Sequence, residues 1–110
     1  MARTVLLGKP NQLKIDTMNK TIEALNAGIS AIKPGNTADD VAKSFWKILD
    51  KYGIEKKSRT GYSIGIGYPP DWGEHTLNIY KGDMTILEPN ICFHMIAVMQ
   101  FGEWLSLIHI

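Results

Sequence analysis

Residues 61–74, with the sequence "GYSIGIGYPPDWGE", limit what this chain can fold into more than any other stretch. They contain four glycines and two adjacent prolines. Two successive prolines remove two backbone N–H donors, and glycine at this density weakens both a helix and a packed strand. The stretch therefore predicts an irregular wall, of the kind that lines a pocket, after a helical first half.

Two amphipathic helices are predicted before this stretch. In the first, apolar residues recur at intervals that place them on one face, until "KPGN" ends the helix; they are Ile15, Met18, Ile22, Leu25, Ile29 and Ile32. The second helix is predicted from 38 to 52, between a capping box of Thr37 with Asp40 and a left-handed Gly53. Its predicted buried stripe is Val41, Phe45, Ile48, Leu49 and Tyr52.

Strands are predicted at both ends of the chain. "RTVLLG" is a short β-prone run ended by glycine, and "GDMTILEPN" predicts two turns around an apolar run. In "ICFHMIAVMQF", alternation sends Phe93, Met95 and Ala97 to one face of a strand, and His94, Ile96 and Val98 to the other. Helices followed by β-rich sequence predict an α+β fold.

Composition excludes several classes of protein. The length of 110 residues fits one domain. With a net charge of +1, the chain offers no basic patch for nucleic acid, since its densest basic run, "KYGIEKKSR", is interpreted as a solvated helix end. No apolar run is long enough to span a membrane. A single cysteine, Cys92, allows no internal disulfide, which predicts a reducing, cytoplasmic location. Its apolar neighbours, Ile91 and Phe93, predict a buried thiol.

Two kinds of binding site are disfavoured by spacing. The three histidines have no i, i+4 pair and there is no CxxC, so spacing gives little support for a metal site. "GYSIGIG" lacks a following GK[ST] and runs into prolines instead of a helix N-terminus, so a phosphate loop is rejected.

His94 and the carboxylates near Trp72 leave two interpretations open. His94 is either a core histidine satisfied by a backbone carbonyl or a pocket group that transfers protons near neutral pH. Asp71 and Glu74 flank Trp72 in a predicted loop, either as an ordinary turn or as the border of a site for a small cationic or amide-bearing ligand.

Five stretches resemble the C-terminal domain of the creatinase, prolidase and aminopeptidase-P superfamily, which has the pita-bread fold. They are "RTVLLG", "AIKPGNTADDV", "KYGI", "RTGYSIGIGYPPDWGE" and "GDMTILEPNICFHMI", and the subgroup they most resemble is ectoine-hydrolase-like and often labelled Xaa-Pro peptidase. The resemblance implies a partial pita-bread domain, with a curved antiparallel sheet flanked by two long helices and an active site in the cleft of that sheet.

Metal-dependent members of this superfamily hold two divalent ions with two aspartates, one histidine and two glutamates. The resemblance places the histidine at Tyr62 and one glutamate at Ile96, and it places the remaining ligands outside the stretch from Met1 to Trp104. Tyrosine and isoleucine cannot replace imidazole and carboxylate as ligands for a hard cation. No metal or other cofactor is therefore expected.

Creatinase is the precedent in this superfamily for cleaving a small amide without a metal. By that resemblance, His94 projects into the cleft beside Ile96, and Tyr62 takes the former histidine position. His94 and Tyr62 are the expected catalytic residues. Four residues are expected to border the substrate: Tyr68, Asp71, Trp72 and Glu74.

The resemblance covers residues 1–104, whereas "LSLIHI" at 105–110 departs from the superfamily pattern. These six residues resemble an in-frame reading of a sequencing-library transposon end. They predict a truncated metagenomic gene fragment with a non-native tail.

The function expected for the parent protein is metal-independent hydrolysis of a C–N bond in an ectoine-like or creatine-like compound. The alternatives are an Xaa-Pro metallopeptidase and a non-catalytic pita-bread binding domain. The fragment itself is expected to be inactive. The expected partners of the parent are a small amide or dipeptide substrate and a second copy of the chain, without nucleic acid or membrane.

Overall fold

The computed structural model describes residues 3–67, 71, 73–101 and 104–109, with the backbone alone for 101 and 104–109. In this part of the chain, two helices pack on one face of a four-stranded antiparallel sheet, which confirms the α+β prediction. The elements are α1 (Gln12–Ser30), α2 (Ala38–Lys51), β1 (Gly61–Ile64), β2 (Gly73–Ile79), β3 (Phe93–Phe101) and β4 (Trp104–His109). The strand order in the sheet is β2-β1-β3-β4.

The face that helix α1 buries overlaps the predicted stripe in part, since Ile29 and Ile32 pack against the core and are partly buried. Ile22 is exposed, and Leu25 is the one member of the predicted stripe that is fully buried. The buried residues are mostly small: Thr17, Thr21, Ala24, Leu25 and Gly28. Small side chains let α2 and β3 approach closely, since a Cβ at Gly28 would lie 3.3 Å from Met95 Cε and 3.5 Å from Phe45 Cβ. Close packing of the backbones therefore decides which face is buried.

Helix α2 confirms its predicted start. The Thr37 side chain accepts from the Asp40 N–H at 3.1 Å, and Asp40 Oδ2 accepts from the Thr37 N–H at 2.8 Å. Gly53 follows the helix with a φ of 64°. Val41, Phe45 and Leu49 are buried as predicted, whereas Ile48 and Tyr52 are only partly buried. Trp46, absent from the predicted stripe, is also buried and donates its indole N–H to the Lys56 carbonyl at 3.0 Å.

Strand β3 alternates as predicted and defines the two faces of the sheet. Met95, Ala97 and Met99 are buried beneath the helices, together with Leu77 and Ile79 of β2. His94, Ile96 and Val98 lie on the opposite face and are half-buried.

Two sequence predictions about the β region and the first residues are wrong, and one strand was missed. Residues 3–8 form no strand, and Val5 and Leu7 are 76% and 92% exposed, because no described strand pairs with them. Cys92 is exposed because it precedes β3, where alternation begins. Strand β2 was not predicted. Asn90, in the turn before β3, is left-handed with a φ of 69°.

Candidate active site

A row of polar side chains crosses the open face of the sheet, which is the face away from the helices. Tyr62 on β1 pairs directly with Asn78 on β2 and with His94 on β3. Directly paired residues of antiparallel strands project to the same side of the sheet. The register alone therefore brings a phenol, an amide and an imidazole together.

Tyr62 and His94 are in direct contact. The Tyr62 hydroxyl oxygen lies 3.1 Å from His94 Nδ1, within hydrogen-bonding distance, and the tautomer of the imidazole decides which group donates. The two rings meet edge to face, with centroids 5.4 Å apart and planes at 75°. Both residues are half-buried. The pair is held on packed strands and is also partly accessible, as a proton-transfer site requires.

Arg59 fixes the other side of the Tyr62 ring. Its guanidinium carbon lies 4.4 Å from the ring centroid, and its Nη1 donates to Asn78 Oδ1 at 2.7 Å. A cation over an aromatic face at an exposed site contributes about 0.5–1 kcal/mol. Arg59 therefore connects two members of the row and restricts the orientation of the phenol.

Asp83 holds the backbone at the end of the row. Its carboxylate accepts from the Asn78 N–H at 2.8 Å and from the Thr85 N–H at 3.0 Å. Partial burial favours the neutral carboxyl, but the hydrogen bonds from Thr85 and Asn78 outweigh it and lower the pKa of Asp83. The ionised carboxylate thus stabilises the position of Asn78.

Gly61 permits the close approach of β1 to β3 that makes the pair possible. A Cβ at this position would lie 2.6 Å from the His94 carbonyl oxygen and 3.0 Å from Ile79 Cγ1. Backbone cannot yield in the way that the end of a flexible side chain can. Glycine is therefore required beside the candidate catalytic residues.

Asp71 lies near the pair but is occupied by its own loop. Its Oδ1 accepts from the Gly73 N–H at 2.6 Å, and its Oδ2 lies 3.3 Å from Nε2 of His75. At Gly73, the site of a missing Cβ is 3.0 Å from Asp71 Oδ1 and 3.6 Å from Tyr62 Cδ2. The carboxylate and the phenol ring therefore flank the same glycine.

The prediction that Glu74 lies in a loop is wrong, because Glu74 lies in β2. The β2 strand has a bulge here: Ile64 pairs with Gly73, whereas Tyr62 pairs with Asn78. His75 within the bulge has a φ of 55°, and the Ser63 hydroxyl accepts from the N–H groups of both Thr76 and Leu77 at 3.2 Å. The bulge hides the strand from pattern-based prediction.

The Glu74 side chain is directed along the glycine-rich loop. Its Oε1 accepts from the Gly67 N–H at 3.3 Å. Like Asp71, it holds backbone in place. Both carboxylates thus border the row without joining it.

Two of the predicted site residues, Tyr68 and Trp72, lie outside the described residues. Whether Trp72 shares a cavity with His94 therefore stays a prediction. Arg59 and Asn78 were missed by the sequence interpretation. The pairing of β1 with β2 would have identified Asn78, but the bulge made that strand unrecognisable.

Metal-ligating side chains do not gather in the described part of the chain. No group of three or more histidine, cysteine, aspartate or glutamate residues there could hold an ion. At the row itself, His94 Nδ1 and the Tyr62 hydroxyl oxygen are directed at each other, and neighbouring Ile96 has no ligating atom. Among the described helices, none is both long and apolar enough to cross a bilayer.

Comparison with known proteins identifies relatives across the chain. The metallopeptidase family M24 matches residues 1–109. An uncharacterized hydrolase/peptidase of Sinorhizobium fredii is 42% identical over 106 residues, covering 96% of this chain and 26% of the relative. Ectoine hydrolase of Halomonas elongata is 40% identical over 105 residues, covering 94% and 26%. The chain thus spans about a quarter of the length of the curated relatives it matches.

Solved structures show the same fold. Dipeptidase PepE from Mycobacterium ulcerans superposes with a TM-score of 0.87 at 25% identity, covering 97% of this chain and 28% of that one. Prolidase from Pyrococcus furiosus gives a TM-score of 0.87 at 22% identity, covering 97% and 31%. The chain therefore belongs to the metallopeptidase family M24 and is a piece of a pita-bread domain.

Proposed function

We propose that the whole protein hydrolyses a C–N bond in a small amide or amidine, of ectoine-like or creatine-like chemistry, without a metal ion. The observation that carries the proposal is the Tyr62–His94 contact of 3.1 Å on the open face of the sheet. It lies where the superfamily resemblance places a metal-binding histidine, in a chain 40% identical to an ectoine hydrolase.

The residues at this position do not fit a pair of divalent ions. Hard cations prefer carboxylate oxygen and imidazole. Tyr62 supplies a phenol that is hydrogen-bonded to His94 Nδ1, and Ile96 supplies no ligand. The nearby carboxylates of Asp71 and Glu74 accept backbone N–H groups of the loop.

The Tyr62–His94 pair can supply both proton transfers that hydrolysis of an amide requires. With Nδ1–H donating to the Tyr62 oxygen, the other ring nitrogen, Nε2, takes a proton from the attacking water. The same nitrogen returns that proton to the leaving amine when the C–N bond breaks. The Tyr62 O–H donates to the carbonyl oxygen as negative charge develops there.

The surrounding residues have supporting roles in this proposal. Arg59 and Asn78 orient the phenol, since the guanidinium contacts both side chains. Asp71 and Glu74 shape the wall of the cleft by fixing the glycine-rich loop. Tyr68 and Trp72 are proposed to contact the substrate from the same loop.

The 110-residue chain itself is proposed to be inactive, because it spans about a quarter of its relatives and the cleft draws on other parts of the domain. A cytoplasmic location and a homodimeric parent stay predictions. So does a non-native tail at 105–110.

The test is hydrolysis of ectoine and creatine by the full-length protein, before and after dialysis against a chelator. We expect activity to persist at its original level, with less than one metal ion per chain by elemental analysis. Loss of activity on dialysis, restored by added divalent ions, would contradict the metal-free reaction.

A metal-dependent Xaa-Pro dipeptidase is the second candidate, favoured by the family match and by the likeness to dipeptidase PepE. It requires ligands from other parts of the protein. Two bound ions per chain with cleavage of Xaa-Pro dipeptides would establish it. An absence of turnover on every amide would instead favour a binding domain.

A further inference from the structure

A cavity lies on the chain away from the candidate active site. It has a volume of about 480 Å³ and is formed between the segment after α2 and the distal half of β3. Its lining is Glu55, Lys56, Lys57, Ser58, Val98, Met99 and Gln100. Val98 follows His94 by four residues of strand, or roughly 13 Å. The cavity is thus separate from the Tyr62–His94 pair.

Lys56 is the buried polar residue of this cavity. The residue is 8% exposed, and its Nζ donates to Ser58 Oγ at 2.6 Å and to the Val98 carbonyl at 3.1 Å. Its backbone is fixed as well, since its carbonyl accepts the indole N–H of Trp46. The amine is therefore held at one place in the cavity wall with a hydroxyl beside it.

The amine has no carboxylate partner among the described residues. Glu55 and Lys57, the charged neighbours on the same segment, are directed to solvent, with side chains 79% and 86% exposed. The other described residues that pack on it, Trp46 of α2 and the lining residues of β3, are uncharged. Burial lowers the pKa of the Lys56 ammonium from 10.5 to about 8.

We propose that Lys56 and Ser58 form a reactive amine site that takes small aldehydes as reversible Schiff bases. The neutral Nζ adds its lone pair to the carbonyl carbon, and one proton of the resulting ammonium passes through the Ser58 hydroxyl to the carbonyl oxygen. The C–O bond of this carbinolamine then breaks as its oxygen takes a second proton from the solvent, which releases one water and leaves a protonated C=N bond to Nζ. The fixed amine, the adjacent hydroxyl and the cavity volume supply what this addition needs.

Reductive trapping of the whole protein tests the site. Propanal and cyanoborohydride convert a Schiff base into a stable propyl-lysine, which peptide mass spectrometry locates. At pH 7 about one amine in ten is neutral when the pKa is about 8, against roughly one in three thousand for an ordinary lysine. We expect Lys56 to be labelled at least tenfold faster than Lys57, and its rate to level off above about pH 8.

Two outcomes would overturn the proposal. One is labelling of Lys56 at or below the rate of Lys57. The other is a Lys56 rate that keeps rising with pH in parallel with that of Lys57. A Ser58→Ala variant tests the role of the hydroxyl separately from that of the amine, because it retains Lys56. It should label several-fold more slowly, and an unchanged rate would contradict the role of the hydroxyl.

Discussion

The two faces of the sheet differ in the polarity and the burial of their side chains. Under the helices, β2 and β3 present apolar side chains that are almost fully buried: Leu77, Ile79, Met95, Ala97 and Met99. On the open face, β2, β1 and β3 present Asn78, Tyr62 and His94, which are half-buried and contact one another directly or through Arg59. The face under the helices is therefore expected to determine the stability of the sheet, and the open face its chemistry. Substitutions on the two faces should differ in their effects accordingly.

The largest difference is expected between adjacent residues of β3. Met95→Ala removes a fully buried side chain that packs on Gly28, and should lower the free energy of unfolding by about 3 kcal/mol. Ile96→Ala, on the open face, should cost about 1 kcal/mol. Urea unfolding of both variants measures the contrast. Equal losses would show that the two faces are not distinct in stability.

Gly61→Ala should disrupt the close pairing of β1 with β3, on which the Tyr62–His94 contact depends. The added Cβ would overlap the His94 carbonyl oxygen and push β1 from β3, at a cost of about 2 kcal/mol. Gly67→Ala is the control, since its added Cβ meets only the end of the Glu74 side chain, and it should cost less than about 0.5 kcal/mol. Thermal unfolding compares them, and a neutral Gly61→Ala would argue against the close strand approach.

Lys56→Met should stabilise the protein by about 1 kcal/mol at pH 7, because it removes a buried ammonium without a carboxylate partner. The folded pKa of about 8 lies below the ordinary 10.5, so the unfolded chain binds more protons between these values. Stability of the wild type relative to the variant should therefore rise from pH 8 to 10.5. Urea midpoints across this range measure it, and a flat difference would contradict the depressed pKa.

Tyr62→Phe should have the smallest effect on stability, about 0.5 kcal/mol, since one partly exposed hydrogen bond is lost. In the whole protein the same change should lower kcat at least tenfold. Tyr52→Phe is a matched control, because it also removes a hydroxyl bonded across the surface, to Glu23 at 2.8 Å. Equal kcat values for the two variants would show that the Tyr62 hydroxyl takes no part in the reaction.

The helix-packed side was the more predictable one. The capping box at Thr37 and the alternation of β3 are local patterns, and both are confirmed. The small buried residues of α1 were missed because they gain their role from backbones that approach from elsewhere. Nothing in the spacing of Thr17 or Gly28 indicates that approach.

The candidate site was predictable only in part. His94 stood out as a polar residue in an apolar strand, and Tyr62 was identified through the superfamily resemblance. The positions of Arg59 and Asn78 in the row depend on the pairing of β1 with β2. A bulge in β2, where His75 is left-handed, hides this pairing from sequence patterns. Register across strands is a tertiary property, which single-strand periodicity does not contain.

The most direct measurement is kcat/KM of His94→Asn in the metal-free whole protein, on the small amide that the wild type hydrolyses. Asparagine retains a hydrogen bond to Tyr62 but cannot transfer the proton. We predict a fall of at least about 100-fold with an unchanged unfolding midpoint. A kcat/KM within threefold of the wild-type value would contradict the assignment of this face as the catalytic one.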